Sequence, residues 1–479
     1  MTSPLREHDA GALAELIRAR RLSPVEAVEA SLAAIDATEA HINAFVTVCA
    51  AEALADARAA ESALMRAPAN GAALGPLYGV PLLVKDLVRT AGVRTTYGSR
   101  THAEHVPAHD ALPVARLKAA GAIVIGKTTT PEFGHKTLTD SPLTGVTRNP
   151  WDLTRTCGGS SGGNAAAVAA GVAPLSLGTD GGGSIRIPAA CCGIVGLKPT
   201  LGRIAYPEAD DTFLNMSHYG PMTRSVADAW RMLAALAGPD DTDALSFRVG
   251  GEIAAEPPPA PERLDGLRVG WLPRVGDHPL SGAAEAAAAG VARAFEQAGA
   301  VIEPLSLELV SAETVFVRLL RSGLWARSRR LLETQRELLS DEFARGIELG
   351  AEVSALDVHA ALQRRTALFR EVQGLLSRVD VLLSPTLTAP AVAVTQGHFD
   401  SVSVAGVTHP SLRTGWHPYA FVANLTGHPA LSLPCGWSDG LPLGVQLIGR
   451  LGDEAQLLRL GLHWEAQRPW REAWPALAG

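Results

Sequence analysis

Two serine clusters stand close together in a glycine-dense stretch of this chain. They are Gly158-Gly159-Ser160-Ser161-Gly162-Gly163 and Gly178-Thr179-Asp180-Gly181-Gly182-Gly183-Ser184-Ile185-Arg186. Three consecutive glycines before a serine let backbone N–H groups converge on a point beside its hydroxyl, the geometry that suits an oxyanion hole. A nucleophilic serine needs a base, yet no histidine lies between His135 and His218. An upstream lysine is the alternative, at the end of the apolar run Gly79-Val80-Pro81-Leu82-Leu83-Val84-Lys85-Asp86. Burial disfavours an ammonium, so a lysine on a buried strand can become a neutral base.

Three other patterns compete and are set aside. Gly121 to Thr128 matches the phosphate-binding pattern GxxxxGK[ST], but its four intervening residues are apolar and mostly β-branched. They read as the strand itself, not as a loop that offers N–H groups to phosphate. Gly158 to Gly162 fits GxSxG, but that elbow needs a strand immediately before it. The sequence offers the turn Asn149-Pro150-Trp151-Asp152, and neither His428 nor His463 is singled out as a partner. His102, His105 and His109 have a helical metal-ligand spacing that Pro107 interrupts, so they read as solvated loop histidines.

The elements that must position the serines and the lysine follow from hydrophobic period. The first sixty-five residues read as helices, with Ser23 as N-cap and Pro24 at N1 ahead of Val25, Val28, Leu32 and Ile35. Short apolar runs, Val80 to Val84 and Ala122 to Ile125, flank a helical stretch, an alternation that predicts α/β layers. The one linker-like segment is Glu256 to Pro261. Beyond it, Leu267 to Leu272 reads as a strand and Ala283 to Gln297 as an amphipathic helix. Helical patterning runs to about Ser377, and Val379 to Ser384 resembles another buried strand.

Composition narrows the function classes. The chain has 479 residues, 47% hydrophobic, which is ample for a core that excludes water from a reaction centre. A formal net charge of −7 argues against nucleic acid as the main partner. The cysteines, Cys49, Cys157, Cys191, Cys192 and Cys435, are odd in number and irregular in spacing, which reads as a reduced compartment and buried thiols. No secretory signal pattern is visible at the N-terminus, and no run approaches eighteen uninterrupted apolar residues. The expectation is a cytoplasmic protein without a membrane partner.

The segment Gly158 to Thr200, ending Gly193-Ile194-Val195-Gly196-Leu197-Lys198-Pro199-Thr200, resembles the signature of the amidase signature family of serine hydrolases. Gly126-Lys127-Thr128, Gly220 to Val226 and Gly440 to Gln446 are similar to further motifs of that family. The resemblance is weakest between about 240 and 380. It implies an α/β fold, a single large domain over 1–479 with a mixed β-sheet core covered by helices on both faces. Within it lie a helical N-terminal segment of about 1–65 and a less typical, mostly helical segment of about 240–380.

The resemblance also implies a Ser–cisSer–Lys triad. Carried over by motif, Lys85 is the base, Ser160 the bridging serine, preceded by a cis peptide, and Ser184 the nucleophile. Ser161 is the neighbour with which Ser160 could be confused. Backbone N–H groups of Gly181, Gly182, Gly183 and Ser184 are expected to hold the oxyanion, and Phe133, Gly134 and Gly159 to touch substrate. Asp180 and Arg186 are expected to pair as structural support, and Lys198 to be structural or exposed. Gly181, Asn164 and Thr129 depart from the residues common in the family. The expected reaction is cleavage of an amide, aryl amide or carbamate through an acyl-enzyme, with no metal and no cofactor. The expected partner is a small-molecule amide or carbamate, and the expected state a monomer or homodimer. The alternative is the glutaminase subunit of a tRNA-dependent amidotransferase, whose pattern has Gln where this chain has Ile187. Pocket walls are expected from 133–138, 206–216 and 315–345.

Overall fold

The computed structural model describes residues 3–66, 74–276, 278–308 and 312–478. Its centre is a mixed sheet of 11 strands. In chain order these are β1 (Phe45–Val48), β2 (Pro81–Lys85), β3 (Ile123–Thr128), β4 (Leu175–Asp180), β5 (Val195–Lys198) and β6 (His218–Thr223), then β7 (Arg268–Trp271), β8 (Val301–Pro304), β9 (Val381–Pro385), β10 (Ala430–Ser438) and β11 (Leu441–Gly449). Across the sheet they run β1-β3-β2-β4-β6-β5-β10-β11-β9-β7-β8. The neighbours β3, β2 and β4 are parallel, as are β9, β7 and β8, and the pairings between these groups are antiparallel.

Alternating strand residues enter different cores because side chains alternate across a strand. Leu82 and Val84 join one core, with Leu175 and Leu177 from the neighbouring strand. Leu83 joins the other. That second core contains helix α1 (Pro24–Ile42) and helix α2 (Gly162–Ala169), together with helix α3 (Arg186–Cys192). Strand β2 is buried along its whole length, as expected of a parallel strand covered on both faces. Helices α2 and α3 are also buried throughout, so the glycine-dense stretch packs inside the molecule. Close approach explains its composition. A Cβ on Gly162 would lie 2.2 Å from Thr139 Oγ1.

Several expectations change in detail. Ser23 does cap α1, with a capping box to Glu26 and Pro24 at N1. The first sixty-five residues are not all helical, because β1 interrupts them and edges the sheet beside β3. Likewise β8 interrupts the segment read as continuously helical. Glycines 121 and 126 flank and join β3 as read, so the phosphate-loop pattern is strand. The GxSxG segment, by contrast, does have a strand before it: Asp152–Thr156, paired in a small hairpin with Arg148–Asn149. The turn at Pro150 is the tip of that hairpin, which stands outside the main sheet. Four cysteines are buried, and Cys435 is only partly covered. His102 is half-buried, not a loop histidine in solvent, with its ring edge-on to Tyr97 and Phe133.

Candidate active site

Lys85 ends β2 at the carboxyl edge of the parallel strands. Its register stops at Val84 opposite Leu177, and just beyond that point Lys85 Nζ donates to Ser160 Oγ (2.7 Å) and Thr179 Oγ1 (2.9 Å). The lysine is fully buried, and among the described residues no carboxylate lies within ion-pair distance. Burial pulls its pKa well below the usual lysine value; the charge of Asp180 opposes that pull without cancelling it. The site therefore contains an amine that burial drives toward its neutral form, in contact with a serine hydroxyl.

Ser160 follows a cis peptide bond from Gly159. It is 2% exposed, against 8% for Ser184 and none for Lys85, so accessibility falls from the expected nucleophile inward to the expected base. Ser161, its neighbour, points elsewhere: its hydroxyl donates to the carbonyl of Thr179. The Ser161 N–H donates to the Ser184 carbonyl (3.1 Å), which ties the two serine clusters together. The hydroxyl of Ser184 has no hydrogen bond to the described residues.

The loop from Gly181 to Ser184 is shaped by a buried ion pair. Asp180 and Arg186 meet at 3.0 Å, both without exposure. Arg186 also donates to Gln446 Oε1 and Asn424 Oδ1, and Asn424 Nδ2 returns bonds to the Asp180 side chain and carbonyl. Burial alone would raise the Asp180 carboxyl, but Arg186, helped by Lys198 and Asn424, holds it well below the usual carboxylate range. Asp180 also accepts the N–H groups of Gly183 (2.7 Å) and Ile185 (3.2 Å). This corrects one expectation. The Gly183 N–H is committed to Asp180, which leaves Gly181, Gly182 and Ser184 as the donors of that loop without an acceptor among the described residues. Gly183 serves the backbone instead, at φ +113°, which a side chain would strain.

The expected substrate-contacting residues divide. A Cβ on Gly134 would lie 3.3 Å from Ser160 Oγ, so this glycine sits against that serine. Phe133 is half-buried and stacks on Tyr97 and Phe343. Gly159 is buried, with its Cα facing the backbone of Thr137 and Leu138. From the expected wall 315–345, Phe316 reaches the site: a Cβ on Gly182 would lie 2.4 Å from its ring. Of the departing residues, Asn164 links α2 to the sheet through Ser176 and Leu177, and Thr129 bonds Thr147. Lys198 is fully buried.

Thr179, Gln446, Asn424 and His218 are members of this assembly that sequence reasoning passed over. Thr179 and Gln446 stand inside quoted motifs, so their placement carried a signal. Asn424, 244 residues from Asp180, carried none. Among the described residues no group of three His, Cys, Asp or Glu side chains is arranged to hold a metal, and no helix is long and apolar enough to cross a membrane.

A buried lysine on a serine, beside a glycine loop at the carboxyl edge of a mixed sheet, is an arrangement that can activate a hydroxyl for attack on an acyl carbon. The Amidase family model matches residues 26–458, and the chain belongs to that family. It is 36% identical over 475 residues to an acylamidase of Rhodococcus erythropolis, covering 97% of this chain and 96% of that protein. It is also 36% identical to a glutamyl-tRNA(Gln) amidotransferase subunit of Chloroflexus aggregans, covering 96% of each. Among solved structures it superposes on a bacterial aryl acylamidase of the amidase signature family with a TM-score of 0.90, at 28% identity and covering 100% and 99% of the two chains. A 6-aminohexanoate cyclic dimer hydrolase gives 0.87 at 30% identity, covering 99% and 100%.

Proposed function

We propose that this protein hydrolyses the C–N bond of a small-molecule amide, aryl amide or carbamate through an acyl-enzyme on Ser184. The observation that carries this is the 2.7 Å contact between fully buried Lys85 and Ser160. Neutral Lys85 takes a proton through Ser160 as Ser184 attacks the carbonyl. The N–H groups of Gly181, Gly182 and Ser184 receive the oxyanion. The relay then returns the proton to the leaving amine, which an amide needs far more than an ester does. Water completes the cycle by hydrolysing the acyl-enzyme. The acylamidase and aryl acylamidase relatives support an amide with an acyl or aryl-amine half. Urethanase and esterase activity belong to the same proposal, because carbamates and activated esters place the same carbonyl before Ser184. The chain is proposed to act as one domain, as a cytoplasmic monomer or homodimer, without a metal or cofactor.

The amidotransferase relatives favour a second reading, a glutaminase subunit that works only with partners. Ile187 in place of Gln argues against it. Assays of the purified chain, alone and with amidotransferase partner subunits, decide. Labelling with a fluorophosphonate should place the adduct on the Ser184 peptide, and p-nitroanilides, aliphatic amides and carbamates should then be turned over. An adduct on Ser160 or Ser161 overturns the triad. Glutamine hydrolysis only in the presence of partner subunits would establish the second reading.

A further inference from the structure

His218 begins β6 and lies directly opposite Asp180 in the β6–β4 ladder. It is 3% exposed. Its Nδ1 is 3.2 Å from the Asp180 carbonyl, which can only accept, so Nδ1 carries the proton and donates. That leaves Nε2 with a lone pair, and Lys198 Nζ donates to it at 3.2 Å while also donating to the Pro199 carbonyl. Asn424 Nδ2 is a second donor to the Asp180 carbonyl at 2.9 Å. The chain therefore has one direction, from Lys198 through His218 to the Asp180 carbonyl. Burial, with Lys198 beside it, pulls the His218 pKa well below its usual value, which agrees with a neutral ring.

The Asp180 carbonyl belongs to the peptide whose other end is the Gly181 N–H. A trans peptide is planar, and its C=O and N–H point in opposite directions. Two donors holding the carbonyl toward the interior therefore hold the N–H away from it. Gly181 is half-exposed, and its N–H has no acceptor among the described residues. Hydrogen bonds to the carbonyl also polarise the peptide and strengthen its N–H as a donor.

We propose that His218, oriented by Lys198, is a positioning residue for the oxyanion: it fixes the Asp180–Gly181 peptide plane so that the Gly181 N–H faces the reaction centre. The inference rests on Ser184 being the nucleophile. Removing one oxyanion donor costs about 10²–10³-fold in kcat. His218→Leu keeps bulk and loses the donor, so kcat for an amide should fall by about 10–100-fold with KM little changed, since the donor is left in place but no longer held. His218→Asn puts an N–H donor where Nδ1 stood and should recover most of the loss. His218→Gln reaches instead toward the Nε2 position and should recover less.

The thionoamide analogue of the same substrate separates positioning from general structural damage. Sulfur is a poor acceptor of the oxyanion bonds, so wild type should prefer the oxygen substrate, and that preference should shrink in His218→Leu. Fluorophosphonate labelling of wild type is run beside these assays. Labelling away from Ser184 refutes the nucleophile assignment itself. Labelling at Ser184, with His218→Leu keeping wild-type kcat or an unchanged oxygen-to-sulfur ratio, overturns the positioning role alone. If His218→Leu does not fold, the order Asn above Gln in kcat still tests it, and the reverse order or equality refutes it.

Discussion

Replacing Lys85 by Met should make the protein more stable at neutral pH and less stable at alkaline pH. The side chain is fully buried without a carboxylate partner among the described residues, and burial pulls its pKa well below the lysine value. With its pKa pulled below that of the unfolded lysine, about 10.4, the folded state gives up this proton at a lower pH than the unfolded chain does. The unfolded state binds more protons, so wild-type stability rises with pH through this window. The unfolded pKa alone caps the cost of giving up that proton at about 5 kcal/mol at pH 7 and under about 1 kcal/mol at pH 10. Methionine removes it but forfeits the hydrogen bonds to Ser160 and Thr179, worth about 1 kcal/mol each. The variant should gain stability at pH 7, by up to about 3 kcal/mol, and fall behind wild type by pH 10. For a chain of 479 residues the unfolding entropy is about 1 kcal/mol per kelvin, so the difference in Tm should be positive at pH 7, by up to about 3 °C, and about −1 °C at pH 10. Thermal scans of both proteins from pH 7 to 10 measure it. A Tm difference independent of pH would mean that Lys85 stays charged in the fold, and the neutral-base mechanism would be wrong. Amide turnover by the same variant should drop by about 10²–10⁴-fold, with a smaller loss for a p-nitrophenyl ester.

Lys85→Arg should also fail on amides, because guanidinium keeps its proton; near-normal kcat/KM with an unaltered pH profile would make Lys85 a structural charge. Arg186→Met should destabilise by about 3–5 kcal/mol by leaving Asp180 buried without its partner, read as a Tm loss of similar size in kelvin; a loss under one degree contradicts the pairing argument. Gly182→Ala should impair turnover because its Cβ would meet the Phe316 ring, and adding Phe316→Ala should restore part of it. No restoration in the double variant means the ring is not the obstacle. Burial, with Asp9 nearby, lifts the Asp228 carboxyl to about 7. The folded state then keeps a proton that the unfolded chain gives up near pH 4, and stability falls as pH rises from about 4 to 7. Asp228→Asn should match wild type near pH 4 and exceed it at pH 8 by on the order of 4 kcal/mol; equal Tm values at pH 8 count against a protonated Asp228.

Local chemistry made much of this protein legible from its sequence. Ser23 and Pro24 announce the start of α1 because capping and the fixed φ of proline act within one turn. The apolar runs that became β2 and β3 are readable because a strand buried on both faces has no room for polar residues. Lys85 and Ser184 have a local signature, a lysine closing a buried apolar run and a serine after three glycines, whereas only the family resemblance singles out Ser160 from Ser161. The tertiary structure decided what depends on approach from far along the chain. It gave the Gly183 N–H to Asp180, removing it from the expected oxyanion donors, and it put Asn424 and Gln446 on Arg186 across 238 and 260 residues. It likewise brought the Phe316 ring onto Gly182. Spacing in sequence carries no information about such contacts, because sheet order and helix packing set them, and neither is written in any local pattern.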